Sequence, residues 1–208
     1  MKRQSTRSLS SSLQIVTLAA LLTGCLPISD NHHFLPPRTG KLYPSATPRS
    51  NTDFPIKFHS HYFGAHCFDT QQCEILYDEF PHGRENGISP SVASYGRPLE
   101  KLLSAGMGPI PNFPSPAKIT WRSKNGDPHE AVIDIGEIFK TQLILHRVPR
   151  SEAREITTDG MPSIIIEVND RTVNVYMRAT IWTKEEQIPG NKYSHSREDL
   201  IKAFSRTY

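Results

Sequence analysis

The sequence predicts an α+β fold: a single domain with a mainly antiparallel β-sheet built from β-hairpins, together with a few short helices. Two pairs of segments, within 118–135 and 163–178, alternate apolar with polar residues and are joined by turn residues. Helical spacing of apolar residues is confined to short stretches near residues 100 and 200. Strands and helices do not alternate as they would around a parallel sheet, and this favours the α+β class.

Two strands are predicted first, at 56–63 and 73–80, because both segments are rich in aromatic and β-branched residues. The segment 98–105 predicts a helix, since its proline suits a first helical turn and three leucines then share one face. Residues 106–116 contain four prolines and two glycines and predict a rigid irregular loop.

The second half of the chain predicts two hairpins and a helix. An Asn-Gly turn, typical of hairpins, joins 118–123 to 130–135, and an Asn-Asp turn joins 163–168 to 171–178. The segment 196–204 predicts a terminal helix, because Ser-Arg-Glu-Asp resembles a capping box and four apolar residues follow. Alternation along the hairpin strands predicts these core-facing side chains: Ile119, Trp121, Ala131, Ile133, Ile135, Val173, Val175 and Met177.

The N-terminus predicts export and lipid attachment. Residues 1–24 combine a basic head with an apolar run at 13–22 that is shorter than the roughly 20 residues of a membrane-spanning helix. The sequence Leu-Thr-Gly-Cys ending at Cys25 resembles the lipobox of bacterial lipoproteins, and the resemblance implies cleavage before Cys25 and acylation of its sulfur. The alternative is an ordinary signal peptide with a chance cysteine.

This resemblance also implies a location. Residue 26 is leucine, whereas aspartate after the cysteine is the inner-membrane retention signal of such lipoproteins, so we expect the periplasmic face of the outer membrane. Residues 25–55 are proline-rich and predict an extended tether between the membrane and a folded domain at 56–208. The net charge of +3 resides entirely in Lys2, Arg3 and Arg7 of the signal peptide, and a neutral mature chain without a basic cluster excludes nucleic acid as a partner.

Cysteine usage fits an exported protein. Once Cys25 is acylated, Cys67 and Cys73 remain, and in an oxidising compartment they are expected to form a disulfide. The alternative is a pair of free buried thiols.

The sequence shows no motif of an enzyme or a cofactor site: nucleophile elbow, phosphate-binding glycine loop and zinc-protease signature are all missing. We therefore predict a chain without catalytic residues, resident metal or cofactor. His59, His61 and His66 are the nearest approach to a metal site, because two imidazoles on one strand face plus a third ligand hold zinc or copper. The alternative, which we favour, is a polar, aromatic-rich sheet face.

Two segments are candidate partner-binding surfaces. In the loop 106–116, prolines stiffen the chain while Ile110 and Phe113 offer apolar anchors; the alternative is that the loop packs across a sheet edge and buries both. In the segment 150–161, Arg150 and Arg154 are spaced to share a helix face and would contact the rim of an interface. The alternative for these arginines is an ordinary solvated surface.

The last 96 residues resemble a known family. The runs ITWRSKNGDPHEAVIDIGEIFK, ILHRVPRSEAREI and PSIIIEVNDRTVNVYMRATIW are similar to immunity lipoproteins encoded beside type VI secretion phospholipase effectors. The resemblance implies a periplasmic inhibitor that binds a cognate lipase, and it supplies no catalytic residues. The alternatives are a structural or assembly lipoprotein of an envelope machine and, less favoured, a metal- or ligand-binding lipoprotein.

Overall fold

The computed structural model of the chain describes residues 54–83, 87–155 and 160–208. Within these ranges the chain is mostly β-sheet, with nine strands in two sheets and two short α-helices. This confirms the mainly β character of the predicted class. None of the helices in the described ranges is long and apolar enough to cross a membrane.

The predicted signal peptide, Cys25 and the tether as far as residue 53 lie outside the described residues. The strands and helices have the following bounds: β1 Ser60–Phe68, β2 Thr70–Tyr77, β3 Phe80–His82, α1 Leu99–Leu102, β4 Met107–Pro111, β5 Ala117–Ser123, β6 Pro128–Ile133, α2 Ile135–Ile138, β7 Ser163–Asn169, β8 Thr172–Trp182 and β9 Ser196–Thr207.

The two sheets pack face to face around one core. The five-stranded sheet has the order β4-β1-β7-β8-β9 and the four-stranded sheet the order β3-β2-β5-β6. All neighbours are antiparallel except β1 and β7, which are parallel. Both predicted hairpins are confirmed, as β5–β6 and β7–β8. Every predicted core-facing side chain of these hairpins is buried: Ile119, Trp121, Ala131, Ile133, Ile135, Val173, Val175 and Met177.

The disulfide joins the two sheets. The chain passes from β1 in one sheet to β2 in the other through Asp69 alone. Cys67 and Cys73 are buried near this passage and are bonded, with an S–S distance of 2.02 Å, as predicted. Strand β1 ends closer to the connection, and β2 begins closer to it, than the sequence predicted. Cys67, expected between the strands, therefore lies in β1, and Cys73 lies inside β2 instead of at its first position.

The five-stranded sheet is covered on its other face as well. Leu99, Leu102 and Leu103, from α1 and its C-cap, pack there against Ile165 of β7 and neighbouring residues. The helix is shorter than the predicted 98–105, but its leucines do share one face. Because both faces of β7 are covered, its sequence is nearly continuously apolar, as is usual for central strands.

The predicted terminal helix is wrong, because 196–204 lies within strand β9. This strand pairs with β8 along its length, from Trp182↔Ser196 to Thr172↔Thr207. A β-bulge shifts the register between Val175↔Phe204 and Tyr176↔Lys202. The extra residue in the bulge lets Ile201 and Phe204, three apart, face the same side. That spacing is helical in the sequence, but pairing with β8 determines the conformation.

The predicted irregular loop at 106–116 is partly wrong, because it contains the edge strand β4. Ile110 pairs with His61, and Pro111 pairs with Ser60. Proline lacks an N–H and is accepted at a sheet edge, where one side of the strand needs no ladder partner. The proline-containing strand β4 is therefore the edge of the five-stranded sheet on this side, and not a free loop.

Gly64 is required by the close approach of the covering segment. A Cβ at this position would lie 1.9 Å from the carbonyl oxygen of Ser104 and 2.9 Å from Cα of Ala105. We expect Gly64→Ala to lower the free energy of unfolding by about 2–3 kcal/mol, because backbone must move to admit the methyl group. Urea denaturation measures this change. Gly106→Ala, whose Cβ meets nothing within 4 Å, is the control and should not destabilise; equal midpoints for the two variants would contradict the prediction.

Candidate partner-binding surface

The β8–β9 hairpin extends beyond the rest of its sheet. Pairing between β7 and β8 ends at Ser163↔Arg178, whereas pairing between β8 and β9 continues to Trp182↔Ser196. At about 3.3 Å per residue, the hairpin continues for roughly 13 Å past β7. It carries the β8–β9 loop, residues 183–195, at its end.

The β8–β9 loop is held in shape by its own hydrogen bonds. The backbone N–H of Gln187 donates to the carbonyl oxygen of Ser194 at 2.9 Å, and that of Asn191 donates to the carbonyl oxygen of Ile188 at 3.0 Å. The carboxylate of Glu186 accepts from the N–H of Gly190 at 2.9 Å. Because these bonds exist before any partner arrives, little conformational entropy is lost on docking.

The tip of this loop, defined by Ile188, Pro189 and Tyr193, is apolar and exposed. Ile188 is 58% exposed and Tyr193 is 81% exposed, and Trp182 at the end of β8 is 43% exposed. The ammonium of Lys192 lies 5.1 Å from the centre of the Tyr193 ring. Large aromatic and aliphatic side chains of this kind are the usual anchors of protein interfaces.

The structure brings the predicted arginine segment to the base of this loop. Ala153 forms a β-bridge with Thr183, and the N–H of Arg154 donates to the carbonyl oxygen of Trp182 at 3.0 Å. The guanidinium of Arg154 donates through Nε to the carbonyl oxygen of Thr183 at 2.8 Å. Arg150 is exposed, and its guanidinium lies over the ring of Phe54 at 4.9 Å.

The expected helical relation between Arg150 and Arg154 is not found, because this segment forms turns and a β-bridge. Pairing with the end of β8 replaces a local helix. Part of the candidate segment 150–161, namely 156–159, lies outside the described residues.

Ile110 and Phe113 are placed as in the sheet-edge alternative. Ile110 is 2% exposed and belongs to the core. Phe113 is half-buried, with its ring 5.9 Å from that of Phe58 and 5.8 Å from that of His61. The β8–β9 loop, which projects instead, was missed by the sequence analysis. Its signal was an Ile-Pro-Gly turn and a tyrosine isolated among polar residues.

The three histidines of the possible metal site are each engaged with protein groups. His59 contacts the Gln142 side chain at 3.2 Å, and His66 contacts the backbone of Ser104. His61 is fully buried. In the described part of the chain, no group of three His, Cys, Asp or Glu side chains is arranged to hold a metal ion.

His61 is the centre of a buried polar chain. Its Nδ1 lies 2.9 Å from Oδ1 of Asn112, and its Nε2 lies 3.0 Å from the Tyr77 hydroxyl. Because Asn112 donates through Nδ2 to the carbonyl oxygen of Phe58, Nδ1–H of His61 donates and Nε2 accepts from Tyr77. Burial lowers the pKa of His61 to about 4, opposed in part by the hydrogen bond to Asn112, so the imidazole is neutral.

Glu167 is the centre of a second buried network, on the face of the five-stranded sheet that α1 covers. Its carboxylate accepts from Asn174 and Tyr176 at 2.9 Å each and from Asn169 at 3.2 Å. Ser205 of β9 donates to Asn174 at 2.7 Å. Burial, and then the charge of Glu167, raise the pKa of Tyr176, so its hydroxyl stays protonated and continues to donate. The network joins β7, β8 and β9.

No family model, curated protein or solved structure matches the chain. The geometry of the described residues therefore defines the site: a stiff loop, an apolar tip and two arginines at its base. Both buried networks are satisfied internally and connect strands, which is what structural networks do. The β8–β9 loop is the feature suited to contact another molecule.

Proposed function

We propose that this chain is a lipid-anchored periplasmic immunity protein that binds and neutralises a cognate lipase toxin delivered by type VI secretion. Its action needs no catalysis, because a bound inhibitor blocks a lipase by covering the substrate entrance or the membrane-docking surface. The observation that best supports the proposal is the exposed apolar tip on a hydrogen-bonded loop. The resemblance of the C-terminal 96 residues to immunity lipoproteins supplies the class of partner.

The form of the surface supports tight binding. Interface energy concentrates in a few buried aromatic or aliphatic anchors surrounded by polar contacts. Tyr193 and Ile188 provide the anchors, while Arg150 and Arg154 provide polar contacts at the edge. A standard interface buries roughly 800 Å² on each partner, so we expect a partner to cover the base of the hairpin as well as its tip.

The disulfide supports the proposed compartment. Disulfides persist in oxidising compartments such as the periplasm and are rare in the cytosol of most organisms. The bond between Cys67 and Cys73 therefore fits an exported chain. Anchoring through acylated Cys25 would keep the inhibitor where a toxin arrives, because two or more acyl chains bind a membrane stably.

The test of the binding proposal is co-purification of the full chain with the secreted lipase encoded beside its gene. We expect a stable complex and loss of phospholipid hydrolysis when the chain is present in molar excess. The alternative function, a structural lipoprotein of an envelope machine, predicts neighbouring envelope-machine genes alone and co-purification with their products. An adjacent lipase that neither binds nor is inhibited would contradict the proposal.

The anchor has its own test. Cys25→Ala is expected to abolish incorporation of labelled palmitate and to release the chain from the membrane fraction, because acylation requires that sulfur. Protection against the toxin should fall while binding of purified lipase is unchanged. Palmitate labelling that persists in the variant would show that Cys25 is not the anchor.

A further inference from the structure

We infer, building on the proposed function, that the tip of the β8–β9 loop enters the apolar cleft in which the toxin holds the acyl chains of its lipid substrate. The proposed function requires only that the chain bind the lipase. Here the bound part of the lipase is its acyl-chain cleft, and the side chains of the loop tip fill that cleft.

The shape of the loop favours a concave partner site. The arginine segment pairs with the hairpin as far as Lys184. Beyond that residue the loop has the width of a two-stranded hairpin, about 10 Å with its side chains, since neighbouring strands lie about 4.8 Å apart. Such a projection complements a concave site better than a flat one. Ile188 and Tyr193 stand at its end, 58% and 81% exposed, so both side chains are available to fill a cleft.

The chemistry of the tip also favours an apolar site. Residues 184–193 contain two basic and two acidic side chains, so their formal charges cancel. The Lys184 ammonium donates to the carbonyl oxygen of Ser151 at 2.8 Å, and the Glu186 carboxylate accepts from Gly190. Two of the four charges are therefore already engaged within the chain. The side chains of Ile188, Pro189 and Tyr193 are themselves uncharged and can enter an apolar site, while the Lys192 ammonium beside the Tyr193 ring has to stay in water at its mouth.

The base of the loop is positively charged. Arg150 and Arg154 are exposed there, although Nε of Arg154 also donates to the carbonyl oxygen of Thr183 and the Arg150 guanidinium lies over the Phe54 ring. Guanidinium groups at the rim of an interface favour an acidic counterpart and speed association. The expected partner site is thus an apolar cleft with carboxylates at its mouth.

The experiment measures binding of the full chain to the purified lipase encoded beside it, with two competitors. Hexadecylphosphocholine, kept below its micelle-forming concentration, fills an acyl cleft, whereas phosphocholine carries the same headgroup without the chain. We expect the alkyl compound to weaken binding at least tenfold and phosphocholine to leave it unchanged.

Substitutions at the tip give a second readout. Tyr193→Ala and Ile188→Ser are each expected to weaken binding by about 30-fold or more, the usual effect of losing a central anchor. Both are exposed, so thermal stability should change little. Ile88→Ser is the matched control. Ile88 is 78% exposed and bridges Gln71 at the start of β2, in the other sheet, so its loss should not affect binding.

The outcomes separate the two proposals. If the chain binds the lipase but the alkyl compound does not compete and the tip variants bind normally, the acyl-cleft inference is overturned while the immunity function stands. If the chain does not bind the lipase at all, both the proposed function and the acyl-cleft inference are overturned. Loss of binding to phospholipid vesicles in the tip variants, without any effect on lipase binding, would assign the tip to the membrane and also overturn the inference.

Discussion

Replacing Glu167 with alanine is expected to lower the free energy of unfolding by about 3 kcal/mol. The carboxylate is 1% exposed and accepts hydrogen bonds from Asn169, Asn174 and Tyr176. Asn169 is only partly buried and can turn to water, but Asn174 and Tyr176 are each 6% exposed. Two buried donors would lose their acceptor, at roughly 1–3 kcal/mol each, and the relief of a buried charge offsets part of this.

Denaturant unfolding of three variants tests this expectation. Glu167→Gln retains one acceptor oxygen and should lose less than the alanine variant, while Glu74→Ala, at an exposed position of β2, should change stability by less than about 0.5 kcal/mol. A double-mutant cycle with Tyr176→Phe should show coupling, because the two changes remove the same hydrogen bond. Equal losses for the buried and exposed glutamates would refute a structural role for the network.

Stability is expected to fall by about 3 kcal/mol between pH 6.5 and pH 4 because of His61 alone. Burial holds the pKa of folded His61 at about 4, below the ordinary 6.5. Within this window the unfolded chain binds a proton that the folded chain does not, so lowering the pH favours unfolding. As far as His61 is concerned, the free energy of unfolding therefore has its full value above pH 6.5 and falls as the pH decreases toward 4.

The comparison is between wild-type protein and His61→Gln, each unfolded with urea at several pH values. The variant keeps a polar group near Asn112 and Tyr77 but cannot titrate. The pH dependence of the difference in free energy of unfolding between the two proteins should therefore be that of His61. Burial also lowers the pKa values of His82 and His146, and these groups affect both proteins alike. Parallel pH profiles would show that His61 is not excluded from protonation in the folded state.

Local patterns predicted the parts of the fold that are themselves local. The hairpins β5–β6 and β7–β8 join neighbouring segments, so alternation and turn residues were enough to place them. The parallel pairing of β1 with β7 joins residues about 100 positions apart, and no short-range pattern reveals it. Strand β9 was misread because a bulge gives its core-facing residues a helical spacing.

The candidate site was only partly predictable for the same reason. The charge and four-residue spacing of Arg150 and Arg154 predict a shared helix face; the structure instead places them in turns and a β-bridge at the base of the projecting loop. Ile110 and Phe113 were chosen as candidate anchors because apolar residues among prolines are typical of stiff binding loops. Whether such residues face solvent depends on the strand with which they pair. Here β4 pairs with β1, and the side chain of Ile110 is buried in the core.

The construction of the β8–β9 loop has a consequence for how the chain can diverge in evolution. Its internal hydrogen bonds use backbone groups and the short side chains of residues such as Asn191 and Ser194, whereas the side chains of Ile188 and Tyr193 extend into solvent. Substitutions at these two positions should therefore be nearly neutral for folding, as exposed changes usually are. The residues that contact the partner can then change as the partner changes, while the residues of the two sheets are selected separately for stability.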